Sequence, residues 1–161
     1  MNLDNTRWLF AINNNVLKVN TEDVTHEESL IRPTSGGNCI NWAVGHLLRS
    51  RQFLLKVALK DWSIPPEVEK AYERGSSGDD FHLFPQFPEL LAMWDETQTL
   101  LDEALTALTA DQLHQIEPPF GDFSRPDTRE RRILFLHFHE SYHLGQLGLM
   151  RRLLGKEGAI K

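Results

Sequence analysis

The chain has 161 residues, 40% of them hydrophobic and 25% charged, a length and composition that predict one domain, 1–161, with a sizeable core. Its net charge of -6 comes without any basic tract, so no nucleic-acid partner bound by phosphate neutralisation is expected. No apolar run reaches the roughly 18 residues of a membrane span, no signal-peptide pattern opens the chain, and a single cysteine, Cys39, allows no intramolecular disulfide. The expectation is a cytoplasmic protein in a reducing compartment, with no membrane partner.

Leu9, Ile12, Val16 and Val19 recur at spacings of three and four and predict a first amphipathic helix from Leu3 to about Asn20. Thr25 and Glu28 stand at capping-box spacing over a short helical turn, Thr25 to Leu30, which Pro33 closes. Thr34 to Asn38 reads as a turn, and Asn38 as the cap of a second helix, roughly Cys39 to Leu59. Cys39 has a packing role, with a nucleophile near a helix N-terminus as the competing reading.

The stretch from Asp61 to Gln86 is irregular, with Pro65, Pro66, Gly75 to Gly78 and Pro85; a short helix falls near Glu67 to Glu73. Phe81, Phe84 and Phe87 predict that part of it packs back on the core. Pro88 opens a third helix that runs to about Leu108. Thr109 and Gln112 repeat the capping-box spacing, Pro118 to Phe123 breaks the chain, and Asp127 with Glu130 caps a fourth helix. That helix spans about Arg131 to Gly155, and Leu136, His139, His143, Gln146, Leu147, Met150 and Leu154 fall along one stripe expected to face the core. The fold expected is all-α: a four-helix bundle, up-down-down-up, with the long crossover between helices two and three.

His139 and His143, at i,i+4, can converge on one ion, and His46 on the second helix is the candidate third ligand. His137 points elsewhere, about 200° round the helix from His139. Three imidazoles with open positions left over match a catalytic metal site better than a closed structural one. Zinc, nickel, iron or cobalt would each suit imidazole. The competing reading is a buried polar network of the histidines with Tyr142 and Gln146. His139-Glu140-Ser141-Tyr142-His143 also spells HExxH, in which the glutamate would be a general base. The extended protease form needs a glycine and a third histidine where this chain has Gln146 and Leu149, so a peptidase is not expected.

Two motifs, Asn41-Trp42-Ala43-Val44-Gly45-His46-Leu47 and His139 through Gln146, about ninety residues apart, resemble those of the DinB/YfiT-like superfamily of metal-dependent four-helix bundles. The resemblance covers nearly the whole chain and implies His46, His139 and His143 as metal ligands. The common family form has arginine where this chain has Leu144. The resemblance also implies a homodimer, with Trp8, Phe10 and the aromatic-rich connection as candidate exposed surface. Characterised relatives include thiol-dependent transferases and isomerases. The function expected is therefore a divalent-metal-dependent transferase, zinc or nickel foremost, joining a low-molecular-weight thiol to a small electrophilic substrate. A metal-dependent small-molecule hydrolase and a non-enzymatic stress-related binding protein are the alternatives. Trp42, Arg49, Trp94 and Tyr142 are candidate pocket walls, with core packing the competing role of each, and Arg49 is placed to hold an anionic thiol.

Overall fold

Asn2 accepts a hydrogen bond from the Asn5 amide (3.1 Å) and so opens α1, Leu3–Thr21. This computed structural model describes residues 2–34, 36–76, 81–119 and 123–160, and is mostly helical over them. The Thr25–Glu28 capping box forms as the spacing requires and starts the single turn α2, His26–Ser29. The cap of α3, Ile40–Val57, is Cys39 rather than Asn38: its sulfur accepts from the Trp42 amide at 3.4 Å. After α4, Pro66–Ala71, and a 3-10 turn at Phe81–Leu83, the Glu89 carboxylate accepts from the Gln86 amide at 2.9 Å where α5, Phe87–Ala107, opens. The Thr109–Gln112 box opens α6, Ala110–His114. Parts of two expected breaks, 77–80 and 120–122, lie outside the described residues, as does Ser35 in the expected turn before α3.

The all-helical expectation needs one amendment. Ile116–Glu117 (β1) and Asp127–Thr128 (β2) pair antiparallel just before α7, Arg129–Leu153. Two arginines of the first turn of α7 hold this ribbon down. Arg132, wholly buried, donates to the carbonyls of Glu117 (2.9 Å) and Pro118 (2.6 Å), and Arg129 pairs with Glu117. Thr128, not Asp127, caps α7, accepting from the Arg131 amide at 3.3 Å; Asp127 is occupied in the ribbon.

The four long helices pack in a ring: α1 against α7 and α5, and α3 against α5 and α7. One part of the core gathers Leu47, Leu48, Tyr72, Phe84, Phe87 and Trp94; the other gathers Phe10, Leu54, Leu55, Leu101, Leu105 and Ile133. Phe84 and Phe87 are buried, so the long connection does return to the core.

On two helices the buried face differs from the apolar stripe. On α1 it is Thr6, Phe10, Asn13, Leu17 and Asn20, while Ile12 and Val19 are exposed. Asn20 earns its place by donating to the Leu144 carbonyl (3.3 Å), and Asn13 accepts from the Ser141 hydroxyl (3.1 Å). On α7 it is Ile133, Leu136, Glu140, Leu144 and Leu147; His139 and His143 are half-buried on its flank and Gln146 is exposed. Phe10, expected on the surface, is buried; Trp8 is exposed.

Candidate metal centre

His46 projects from the middle of α3, where Gly45 leaves room for the Tyr72 ring. A β-carbon at Gly45 would lie 2.3 Å from that ring. Tyr72 is buried, its hydroxyl donates to Asn41 (2.9 Å), and burial pushes its phenol well above the usual range. The fit brings the Tyr72 carbonyl to 3.0 Å from His46 Nδ1. A carbonyl only accepts, so the His46 proton sits on Nδ1 and Nε2 keeps its lone pair. The Trp42 ring lies flat on the other side, 4.8 Å between centroids and 7° from parallel, with its own N–H donated to Ser76 (2.9 Å).

The other two histidines are oriented in the same sense. Ser50 gives its proton to the His46 carbonyl (3.2 Å), which leaves its oxygen to accept from His139 Nδ1 at 3.4 Å. His143 Nδ1–H donates to Gln146 Oε1, 2.7 Å away. All three Nε2 atoms therefore present lone pairs, and they converge. His139 Nε2 is 3.4 Å from His46 Nε2 and 3.2 Å from His143 Nε2, and one ligand nitrogen of each residue lies within 4.8 Å of the others. Three lone pairs at this range repel unless a proton or a cation stands among them. Two nitrogens bound about 2.0–2.1 Å from a tetrahedral zinc stand about 3.4 Å apart, so the spacing fits an ion of that size. Each ring's far nitrogen is fixed by a hydrogen bond, the second-shell pattern of metal-ligating imidazoles. Burial pushes His143 below its ordinary pKa, protonation of His46 would lower it further, and Gln146 acts against both; a neutral imidazole is the form that ligates.

Glu140, the would-be base of HExxH, is elsewhere. Its carboxylate is buried and gripped at both oxygens by Arg51, at 2.5 and 2.9 Å. The helical wheel left its position open, because the partner that claims it lies 89 residues away on α3.

Among the remaining candidate residues, Tyr142 is exposed beside His143, ring centroids 5.4 Å apart. Trp94 is fully enclosed in the core, under the Arg51 guanidinium and bonded to Asn14 (2.9 Å). Arg49 faces Glu69 at 3.4 Å and lies over the Phe53 ring. With Ser50, Phe53, Phe123, Phe135 and His139 it lines a cavity of about 20 Å³, room for a single water. Phe123 and Phe135 are the wall residues sequence reasoning missed; Phe123 is carried in by the ribbon and packs edge-on to Phe135. His137 faces Phe10, away from the cluster. Cys39 is buried, and burial pushes its thiol up in pKa.

No curated protein matches the chain. A solved structure, described as that of a conserved protein from Enterococcus faecalis, superposes with a TM-score of 0.77 at 16% identity, covering 97% of this chain and 99% of that one. This likeness shows a shared fold. The family model of the DinB superfamily matches residues 13–147, which takes in all three histidines, and the chain belongs to that superfamily.

Proposed function

We propose that the protein is a divalent-metal-dependent enzyme that joins a small thiol to an electrophilic carbon. The observation that carries the reading is the convergence of three Nε2 lone pairs, each oriented from behind by Tyr72, Ser50 or Gln146. His46, His139 and His143 would hold the ion, zinc or nickel by their chemistry. A bound cation would supply positive charge that favours the deprotonated form of a nucleophile beside it.

The surrounding residues favour a thiol over water as that nucleophile. Glu140 is committed to Arg51, so the neighbouring carboxylate that would take a proton from water is absent from the cluster. A thiol ionises near pH 8.5 unaided, so charge alone suffices to activate it. In the transfer its proton leaves to solvent, sulfur bonds to the electrophilic carbon, and the leaving group departs with its bonding pair. His139 and His143 are only half-buried, so both reach solvent, and exposed Tyr142 lies beside His143.

The reading includes the arrangement around the site. Residue pairs advance together along α1 and α7 (Phe10 with His137, Asn13 with Ser141, Asn20 with Leu144) and along α5 from α3 to the segment just past its end (Arg51 with Gln98, then Lys60 with Glu103). They oppose along α1 and α5 (Arg7 with Asp102, Lys18 with Asp95). These pairs support an up-down-down-up four-helix bundle. A cytoplasmic location and a homodimer complete the proposal.

The test is a panel of low-molecular-weight thiols and electrophiles on metal-loaded protein. Thiol transfer is expected from the native chain and not from His143→Ala, which should lose metal as well. Hydrolysis of small esters or amides without any thiol, abolished by the same substitution, would replace the transferase reading with a hydrolase. Metal binding with neither reaction would favour the binding-protein reading.

A further inference from the structure

We propose that the Arg51–Glu140 pair is a positioning device: it sets the rotation of α7 against α3 and so the point at which His46, His139 and His143 meet. The inference rests on the metal reading above.

Arg51 is the side chain through which all four long helices meet. It leaves α3, is 0% exposed, and grips both oxygens of Glu140 on α7 at 2.5 and 2.9 Å. Its third nitrogen donates to Gln98 on α5 at 3.0 Å. The guanidinium plane lies 4.1 Å over Trp94 of α5 and 5.5 Å from the Phe10 ring of α1. One planar group thus makes a hydrogen bond from each of its three nitrogens and lies against two aromatic rings.

Stability is a poor reason for such a group. Desolvating two charges costs about what their attraction returns, and apolar replacements of similar volume are often as stable. Direction is the better reason. A two-point fork fixes distance and angle together, which apolar contacts do not. Its placement supports this. Glu140 falls between the two ligands of α7, and Arg51 follows Ser50, whose hydroxyl orients His139. A turn of α7 by about 10° would move an atom about 6 Å off its axis by about 1 Å. Ligand distances tolerate only about 0.2 Å.

Cobalt(II) alone is the probe, titrated into the full chain, Arg51→Met/Glu140→Leu, Arg51→Lys and His46→Ala, with circular dichroism and thermal unfolding alongside. The double variant is expected to keep its helicity while cobalt affinity falls ten- to a hundredfold, the range seen when second-shell partners of metal ligands are lost. Its visible cobalt bands should shift and weaken, which a loss of stability alone would not cause. Arg51→Lys keeps the charge without the fork and should lose about tenfold. A folded double variant with native cobalt affinity and spectrum would overturn the proposal. If the double variant does not fold, Arg51→Lys decides by the same two readouts. A native chain that binds cobalt no better than His46→Ala would overturn the metal reading itself, and this proposal with it.

Discussion

Three imidazoles account for the site, and their tautomers matter as much as their positions. Each has its proton drawn to Nδ1 by a different acceptor, so each offers Nε2. Alanine at His46, His139 or His143 should each cut metal occupancy sharply, measured by elemental analysis after dialysis against a weak chelator. His137→Ala should not, because that ring packs against Phe10 at 5.0 Å instead. Full occupancy in the His46 or His143 variant would move the ion elsewhere. Under the proposed thiol-transfer function, the reacting thiol comes from outside the chain. Cys39 is buried, caps α3, and has its thiol pKa raised by burial. An aromatic disulfide reagent should therefore titrate no thiol in the native protein and one per chain once it is unfolded. Prompt native labelling would reopen Cys39 as a nucleophile.

The helices transmit small changes to the centre. Gly45 is the clearest case, since a methyl there meets the buried Tyr72 ring at 2.3 Å. Gly45→Ala should cost about 1–3 kcal/mol, the range for overpacking, seen as a lower denaturant midpoint. It should also weaken metal binding, because the displaced Tyr72 carries the carbonyl that orients His46. Tyr72→Phe separates the two effects. It removes only the hydroxyl and strands the Asn41 oxygen, at about 1–3 kcal/mol, while leaving the carbonyl in place. Stability should fall and metal affinity should hold; an equal loss of affinity would mean that the hydroxyl, not the backbone, supports the site.

At the scale of the domain, the outer face of α1 and α7 carries exposed apolar side chains. Leu134, Phe138, Leu149 and Leu153 are exposed along α7, and Trp8, Ile12 and Val19 along α1 beside it. Between the two helices runs a groove of about 470 Å³, with Ile12, Val16, Gly145, Gly148, Leu149 and Ile160 among its walls. Exposed apolar residues gathered along one groove mark a candidate interface. The proposed homodimer should use it, giving twice the 18.6 kDa chain mass by light scattering, and Trp8→Glu with Phe138→Glu should halve that mass. A native monomer at high concentration would refute the dimer. No helix among the described residues is long and apolar enough to cross a membrane.

Local chemistry was legible along the chain. The Thr25–Glu28 and Thr109–Gln112 boxes, the four long helices and the i,i+4 histidine pair all depend on residues within a turn or two of one another. What periodicity could not assign is which polar residues go inside. Leu9, Ile12, Val16 and Val19 mark the apolar stripe of α1, yet Asn13 and Asn20 are buried while Ile12 and Val19 face out. Glu140 is buried in α7 although a carboxylate reads as surface, and the ribbon that brings Phe123 to Phe135 left no strand pattern in two-residue strands. For the buried polar residues the deciding partner is distant in sequence: Ser141 for Asn13, Leu144 for Asn20, Arg51 for Glu140; the ribbon is held from nearer by, by Arg132. A polar group enters a core only when another polar group meets it there, and that meeting exists only once the helices have packed.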